Sequence, residues 1–483
     1  MKLRRLMVAA VFFAGHLVLA QHEVAQSPLS FTSSIPWLTR SFDWAKSQAL
    51  QYTRPGPGEM GPWYEAALPG RNAFCMRDVS HQTEGAAALG LYADNKNMLG
   101  LFVQSAAKSR DWAAYWEIDS EGKPSSADYL SDNDFWFNLP ANFDVLDTSV
   151  RMWRWTGDDS YRNDVTYQRF ARITMTDYLN AWQLQPSAIL KRPRIANRRL
   201  AKGKFVDARG IPSYSEGTRD FILGTDLLAA EYRAMQSFSQ IAVDQELARS
   251  AKTKAAEIQD LIERVGWSEK EHHYLSAIRS DLSGYGSADT MVLYFEAAKD
   301  PQHIQGALSY ISSPDYWKQI NIEEESYVPL TLFRYGLNEI AYQVLANISD
   351  PQKPRREYPE VSYSVVEAIV SGVMGVAAGS GRDGYDVLTL SGLLQNSDQA
   401  TITGLAIKKN QIRVTHQGRF STSFSNLQGP SLRWRVEFPG SANQITASGK
   451  VFVAKHSFSP EGVAISWTDL TVNRGEDISA TAN

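Results

Sequence analysis

Carboxyl groups and aromatic rings recur in six short segments of the sequence, each of which precedes an apolar stretch. The segments are residues 70–78, 127–140, 210–224, 281–287, 320–325 and 354–360. They contain Arg77, Asp78, Asp132, Asp134, Glu216, Asp220, Asp281, Glu323, Glu324, Glu325, Glu357 and Glu360, together with the rings of Trp136, Tyr214, Tyr285 and Tyr358. Two carboxyl groups can protonate a leaving oxygen and activate a water, and flat rings stack on sugar faces. The pattern therefore favours hydrolysis of a glycosidic bond in a carbohydrate substrate.

The apolar stretches have the period of α-helices and are rich in small side chains. Residues 85–90 and 368–378 have little polar surface, and their glycines and alanines would let neighbouring helices approach closely. We expect six such inner helices, beginning near Val79, Ala141, Thr225, Ala288, Ser326 and Val361.

More polar helices are expected between the inner ones. They are predicted at residues 95–109, 159–182, 244–265, 301–311 and 337–348, and a further helix at 36–50 precedes them all. In residues 244–265 a single apolar stripe runs through Leu247, Ala251 and Ile258, which is typical of an outer helix with one buried face. Six inner–outer pairs predict an (α/α)6 toroid over residues 35–379, with an irregular helical array as the alternative. If the inner helices share one direction, the six acidic segments meet at one mouth.

The period changes after a predicted linker rich in glycine, residues 379–384. From residue 385 to 483 the chain reads as short strands, and residues 432–438 alternate apolar and polar side chains at every position. Glycine, asparagine, serine and proline separate the strands. We therefore expect a mainly α protein whose helical domain is followed by a C-terminal β-sandwich.

The first twenty residues have the pattern of a cleavable signal peptide. Lys2, Arg4 and Arg5 form a positive region, and the apolar stretch that follows is too short for a membrane anchor. Ala20 provides the small residue at the cleavage point. We expect a mature chain that begins at Gln21, has no integral membrane segment, and is secreted or periplasmic.

Composition excludes several classes of protein. The 49 lysines and arginines are outnumbered by 53 aspartates and glutamates, giving a formal net charge of −4, which argues against a nucleic-acid partner. Cys75 is the single cysteine, so disulfides within the chain and multi-cysteine zinc motifs are excluded. His81 and Glu84 are three residues apart but lack a second ligand pair. We predict neither a metal nor a cofactor.

Two motifs resemble inverting six-hairpin glycosidases of the glucoamylase, trehalase and processing α-glucosidase type. Residues 70–78, Gly-Arg-Asn-Ala-Phe-Cys-Met-Arg-Asp, are similar to the Arg-Asp segment with which glucoamylase-type enzymes hold the sugar at the cleavage subsite. Residues 216–221, Glu-Gly-Thr-Arg-Asp-Phe, followed by Asp226, resemble the Glu-Ser-Gly-x-Asp loop of trehalases. Residues 356–359, Arg-Glu-Tyr-Pro, fall where these families keep a base or a substrate-binding glutamate. Thr218 and Arg219 depart from the family's pattern.

The resemblance implies roles for individual residues. Asp220, or else Glu216, would be the general acid; Glu357, or else Glu360, would be the base; and Arg77 and Asp78 would grip the sugar. The substrate-binding set then comprises Arg77, Asp78, Asp134, Trp136, Tyr214 and Tyr358.

Each of these residues has a structural alternative. Asp78 and Asp220 could cap helices, and Glu360 could simply favour the helix dipole. Trp136 could belong to the core. Residues 323–325 could be a solvated helix start, although one of these three glutamates could face the mouth and supply the base. The seven basic residues between Lys191 and Lys204 could form a solvated loop or a lid for acidic glycans. A lid of that kind suits a polysaccharide lyase on a similar toroid, and the aromatic residues would also suit a non-catalytic glycan-binding protein.

Overall fold

The computed structural model describes residues 26–56, 58–217, 220–380, 383–459 and 462–482. The expected signal peptide, residues 1–20, lies outside the described residues, as do Thr218 and Arg219 of the predicted acid loop. The chain is helical up to about residue 373 and rich in sheet beyond it, in agreement with the division predicted from the periodicity.

The helices follow one another in short segments joined by loops. They are α1 (Pro36–Gln51), α2 (Met76–Ala88), α3 (Tyr92–Ser105), α4 (Pro140–Thr156), α5 (Ser160–Asn163), α6 (Val165–Ile173), α7 (Leu179–Ala181), α8 (Thr225–Ile241), α9 (Gln245–Leu261), α10 (Asp289–Tyr294), α11 (Pro301–Ile311), α12 (Pro314–Gln319), α13 (Ile322–Arg334), α14 (Asn338–Ile348) and α15 (Pro359–Glu367). Wider π-helical turns continue three of them, at Thr174–Tyr178, Ile262–Gly266 and Ala368–Val373.

Six helices lie at the predicted inner positions and contact one another in a closed circuit. Helix α2 packs on α4, α4 on α8, α8 on α10, α10 on α13, α13 on α15, and α15 again on α2. Their starts differ from the predicted ones by about one turn at most, because Pro140, Pro359 and the capping Asn321 begin helices before the apolar stripe does. Outer helices α1, α3, α9, α11 and α14 pack on α15, α2, α8, α10 and α13 respectively.

The outer helix predicted at residues 159–182 is broken into shorter pieces. The carboxylate of Asp164 accepts a hydrogen bond from the backbone N–H of Thr166 and so starts a new helix, α6. That helix passes through the π-helical turn at Thr174–Tyr178 before α7. The local capping bond overrides the continuous apolar period.

Two sheets form most of the C-terminal region. The seven-stranded sheet has the order Ser30–Ser33, Gln399–Ile407, Asn410–Gln417, Ser421–Gln428, Asp477–Ala482, Gln444–Ala447 and Lys450–Val453. The five-stranded sheet has the order Val376–Ala378, Val387–Leu390, Leu432–Pro439, Ala464–Val472 and Lys455–Phe458.

The sheets also include residues from outside the predicted β region. Ser30–Ser33, which precedes α1, pairs antiparallel with Gln399–Ile407, and Val376–Ala378 precedes the predicted linker. Neither strand is long enough to show a convincing alternation, so only the tertiary pairing identifies them.

Short strands also shape the loops before the inner helices. They pair as Thr53–Arg54 with Trp63–Tyr64, Ala73–Cys75 with Glu117–Asp119, Tyr129–Ser131 with Asp134–Phe135, Phe137–Asn138 with Arg209–Ile211, and Trp267–Ser268 with His273–Tyr274. Leu223–Gly224, Ala277–Ile278 and Gly284–Tyr285 form a three-stranded sheet.

The sheets are joined to the C-terminal ends of the inner helices. At the end of α4, Trp155 Nε1 donates to the carbonyl of Ala406 at 3.0 Å, and the carbonyl of Trp155 accepts from Lys408 N at 2.8 Å. His416 Nε2 lies 3.0 Å from the carbonyl of Met374, just beyond the extension of α15. The N-terminal ends of the inner helices are thereby left for a site. No helix in the described part of the chain is long and apolar enough to cross a membrane.

A substitution at Gly85 tests the contact between α2 and α15 that closes the circuit of inner helices. A Cβ there would overlap the backbone carbonyl oxygen of Tyr363, so Gly85→Ala should force α2 and α15 apart and destabilise the fold by about 1–3 kcal/mol. In α3 a Cβ on Gly100 would meet only the Tyr167 hydroxyl, at 3.9 Å, so Gly100→Ala should be neutral or stabilising. Urea unfolding measures both. Equal midpoints for the two variants would contradict the close packing of α2 on α15.

Candidate active site

A cavity of about 390 Å³ opens among the N-terminal ends of the inner helices. It is lined by Arg77, Tyr214, Ser215, Glu216, Asp226, Ser276, Ser287, Ala288, Met291, Asn321, Glu323, Glu324 and Tyr327. Helices α2, α8, α10 and α13 each contribute. Helix N-termini favour negative charge, which helps to explain how four carboxyl groups can line one cavity.

Arg77 lies between two carboxyl groups, those of Glu216, which lines the cavity, and Asp78, which does not. Its Nε is 3.5 Å from Asp78 Oδ1, and its Nη1 is 3.8 Å from Glu216 Oε1. The guanidinium also lies 5.9 Å from the ring centre of Trp116 and 6.0 Å from that of Tyr214. Arg77 thus links Asp78, its neighbour in the sequence, to Glu216.

Asp78 and Glu360 bring two buried carboxyl groups together where α15 meets α2. Burial raises the pKa of Asp78 to about 6, with the Arg77 charge opposing and the Glu323 and Glu216 charges adding to the rise. Burial, followed by the charge of Asp78, raises the pKa of Glu360 well above its usual range. The Asp78 charge disfavours ionisation of Glu360, and burial makes both carboxyl groups hold their protons to a higher pH than ordinary carboxyls.

Glu216 is presented on the segment that follows the strand Arg209–Ile211. Its Oε1 accepts a hydrogen bond from Asn138 Nδ2 at 3.1 Å, and its side chain is 40% exposed. Burial raises the pKa of Glu216, while Arg77 and Asn138 act in the opposite direction. A carboxyl group that keeps its proton to a higher pH than usual and lines the cavity can deliver that proton to a bound molecule.

The three consecutive acids of α13 have three different environments. Glu323 lines the cavity and is half-buried. Glu324 also lines it, accepts from the Tyr316 hydroxyl at 2.9 Å, and has a pKa that burial raises to about 7. Glu325 faces away and pairs with Lys353 Nζ at 2.6 Å. The run is therefore more than a solvated helix start, because two of its members face the site.

Asp220, Glu357 and Tyr358 do not line the cavity. Asp220 is exposed and accepts hydrogen bonds from Tyr285 and from Arg279, which lower its pKa. Glu357 is exposed, and its backbone carbonyl accepts from the Tyr52 hydroxyl. The ring of Tyr358 is half-buried and lies 5.6 Å from the Arg355 guanidinium.

Asp134 and Trp136 shape the wall beside the site. The Asp134 carboxylate accepts from the backbone N–H groups of Lys204 and Phe205 at 3.0 and 2.8 Å. Trp136 packs on a small cluster of Phe205, Ala208 and Ile211 and borders a shallow groove. Both side chains therefore have structural contacts outside the main cavity.

The basic segment around Lys191–Lys204 is largely engaged by the fold. Arg192 is buried and donates to the carbonyls of Trp182 and Ile222 at 3.1 and 3.0 Å. Arg199 pairs with Asp111, and Arg198 Nη2 lies 2.8 Å from Asp207 Oδ1. These contacts hold the loop in place and weaken its interpretation as a free lid.

Sequence reasoning missed Asp144 and Tyr327 and treated Asp226 only as part of a motif. Asp226 accepts from Ser213 Oγ at 2.6 Å and from Tyr214 N at 2.9 Å, and Asp144 Oδ1 accepts from the Tyr214 hydroxyl at 2.5 Å. Tyr327 stacks on His81 at a centroid distance of 3.5 Å. Asp144 is one of several polar residues in α4, so no signal in the sequence separates it from Asp147 or Arg151. In the part of the chain that the structure describes, no three His, Cys, Asp or Glu side chains are grouped to hold a metal ion.

Comparison with solved structures identifies proteins of similar fold. A GH78 family rhamnosidase of Bacillus sp. GL1 matches with a TM-score of 0.56 and 12% identity over 83% of this chain and 41% of its own. An α-L-rhamnosidase from Dictyoglumus thermophilum matches with a TM-score of 0.55 and 13% identity over 96% of this chain and 51% of its own. This chain thus spans about half the length of either structure.

No protein-family model matches the sequence, and a search of the curated proteins finds no match. At these identities the two solved structures show a common fold, and the glycosidase-like architecture that the motifs implied is confirmed at that level.

Proposed function

We propose that the protein is a glycoside hydrolase whose helical domain, residues 35–379, is an (α/α)6 toroid followed by a C-terminal β-sandwich over residues 385–483. The closed circuit of six inner helices supports the toroid, and the fold is common to enzymes that are named rhamnosidases. The inferred compartment is the periplasm or the exterior, reached through the signal peptide predicted at residues 1–20.

The observation that carries the proposal is the composition of the cavity. Glu216, Asp226, Glu323 and Glu324 line it together with the rings of Tyr214 and Tyr327, and Arg77 provides the one guanidinium among the lining residues that the structure describes. Glycoside hydrolysis needs one protonated and one ionised carboxyl group on either side of the scissile bond. Rings and hydrogen-bonding charges of this kind bind sugars well.

Glu216 is the proposed general acid. It lines the cavity with a raised pKa, whereas Asp220, the first choice from the sequence, is tied to Arg279 and Tyr285 on the exposed side. Protonation of the leaving oxygen by Glu216 leaves its carboxylate 3.8 Å from Arg77 Nη1, so the charge that forms is already balanced.

Glu323 is the proposed general base. Glu357 and Glu360, the candidates from the sequence, do not line the cavity, whereas Glu323 does and is close enough for its charge to act on Glu216. In this mechanism the Glu323 carboxylate removes a proton from water as the water attacks the anomeric carbon. Arg77 holds hydroxyl groups of the sugar, and Asp78, which does not line the cavity, pairs with its guanidinium.

A variant of Glu216 tests the acid. Glu216→Gln keeps the shape of the side chain and its contact with Asn138 but has no proton to give, so kcat/KM on aryl glycosides with poor leaving groups should fall by about 10²–10⁴-fold. Because the acid must be protonated, wild-type activity should decline as the pH rises through the raised pKa of Glu216. Asp220→Asn is the matched control and should retain activity.

Reducing-sugar release and chromophore release from a panel of aryl glycosides that includes α-L-rhamnosides measure these effects. Full activity of Glu216→Gln with loss in Asp220→Asn would return the acid role to Asp220. Sugar binding without turnover by the wild type would indicate a glycan-binding protein instead, and an unsaturated product absorbing in the ultraviolet would indicate a lyase.

The stereochemistry of the product tests the pairing of acid and base. An acid on the segment before α8 and a base on α13 leave room for water between the carboxyls, which corresponds to a separation of about 6.5–9.5 Å in inverting enzymes. We expect the first-formed sugar to have the opposite anomeric configuration to the bond cleaved. Proton NMR in the first minutes of hydrolysis shows this directly. Retention would mean that a carboxylate attacks carbon.

A further inference from the structure

We propose that Asp144 is a positioning residue that fixes Tyr214 as a sugar-binding wall of the cavity. This inference rests on the proposed function and assigns a role to a residue that does not itself line the cavity. It begins from the hydrogen bond between the Tyr214 hydroxyl and Asp144 Oδ1, which is 2.5 Å long.

The position of the Asp144 carboxyl group is unfavourable for the stability of the fold. It lies in the inner helix α4, is 4% exposed, and its Oδ2 has no hydrogen-bond partner among the described residues. Burying a carboxyl group with one oxygen unsatisfied lowers the free energy of unfolding. The contact that it makes is the one to Tyr214.

Hydrogen bonds hold both the backbone and the side chain of Tyr214. Its backbone N–H donates to Asp226 Oδ2 at 2.9 Å, and its hydroxyl donates to Asp144. Asp226 also accepts from Ser213 Oγ at 2.6 Å. The aspartates of two neighbouring inner helices, α4 and α8, therefore fix the position of the ring and of its backbone.

The fixed ring lies beside the groups that would act on substrate. Its centre is 6.0 Å from the Arg77 guanidinium, and Glu216 follows two residues later on the same segment. Two rotatable bonds separate a tyrosine ring from its backbone, so a free ring would have to be ordered each time a sugar binds. The Asp144 hydrogen bond orders it beforehand, which should appear mainly in binding.

Four variants isolate this contact. Tyr214→Phe keeps the ring and removes the hydroxyl, Asp144→Leu removes the acceptor, and Asp144→Asn keeps an acceptor oxygen. The fourth combines Tyr214→Phe with Asp144→Leu. Tyr274→Phe is the matched control, because the Tyr274 hydroxyl makes a partly buried 3.0 Å hydrogen bond to Glu263 Oε2 and Tyr274 does not line the cavity.

We expect Tyr214→Phe and Asp144→Leu each to raise KM about tenfold on the aryl glycoside that the wild type cleaves best, with kcat changed by less than about threefold. The double variant should be no worse than either single one, because both remove the same bond. Asp144→Asn should stay within about twofold of the wild-type KM. Tyr274→Phe should lower the urea midpoint and leave KM unchanged.

Other results would overturn the inference. They are an unchanged KM in Tyr214→Phe, multiplicative effects in the double variant, or a loss confined to the urea midpoint, which would mean a purely structural bond. If the wild type hydrolyses none of the panel, the proposed hydrolase function fails. The rise in melting temperature on adding free glucose, galactose, mannose or rhamnose then replaces KM as the readout. Loss of this rise in both single variants supports the inference. An equal rise in all variants, or no rise in the wild type, overturns it.

Discussion

The close approach of α2 and α15 is the constraint on which the site depends. Gly85 lies against the backbone of Tyr363, and no side chain larger than hydrogen fits between them. Because these two helices are the first and last of the inner six, their contact closes the circuit. The same contact places Asp78, in the first turn of α2, within reach of Glu360, in the first turn of α15. The absence of a side chain at Gly85 thus permits both the packing of α2 on α15 and the proximity of Asp78 to Glu360.

Below the cavity, a buried ionic network joins the inner helices. Arg151 of α4 lies 2.9 Å from Glu84 Oε2 and 3.0 Å from Asp147 Oδ2, and Arg233 of α8 lies 3.3 Å from the other oxygen of Asp147. Arginine charges lower the pKa of Glu84 to about 2, whereas burial and the Glu84 charge keep the pKa of Glu367 high. Pairing of this kind fixes helix register rather than adding much stability.

The buried ionic network and the carboxyl groups around the cavity differ in how their negative charge is balanced. In the network the carboxylates of Glu84 and Asp147 face arginines directly. Around the cavity, Arg77 is the one cation in the described part of the chain that pairs with Asp78 and Glu216. The pKa values of Asp78, Asp226 and Glu324 rise to about 6, 6 and 7. Carboxyl groups that change protonation near neutral pH are suited to acid–base chemistry, and clustering of such groups is typical of functional sites.

The sequence by itself determined the division into helical and sheet regions and the positions of the six helices that form the closed circuit. These follow from periodicity and from residues adjacent in the chain. The proposed base and the proposed support of the site were not singled out in this way: Glu323 was one of three glutamates at a helix start, any one of which could face the mouth, and Asp144 was one of several polar residues in α4. Similarly, Asp220 matched a motif, but its side chain binds Arg279, which lies 59 residues further along the chain. Local patterns report which face of a helix is apolar; only the closed packing decided which carboxyls share a cavity, because that depends on contacts between distant segments.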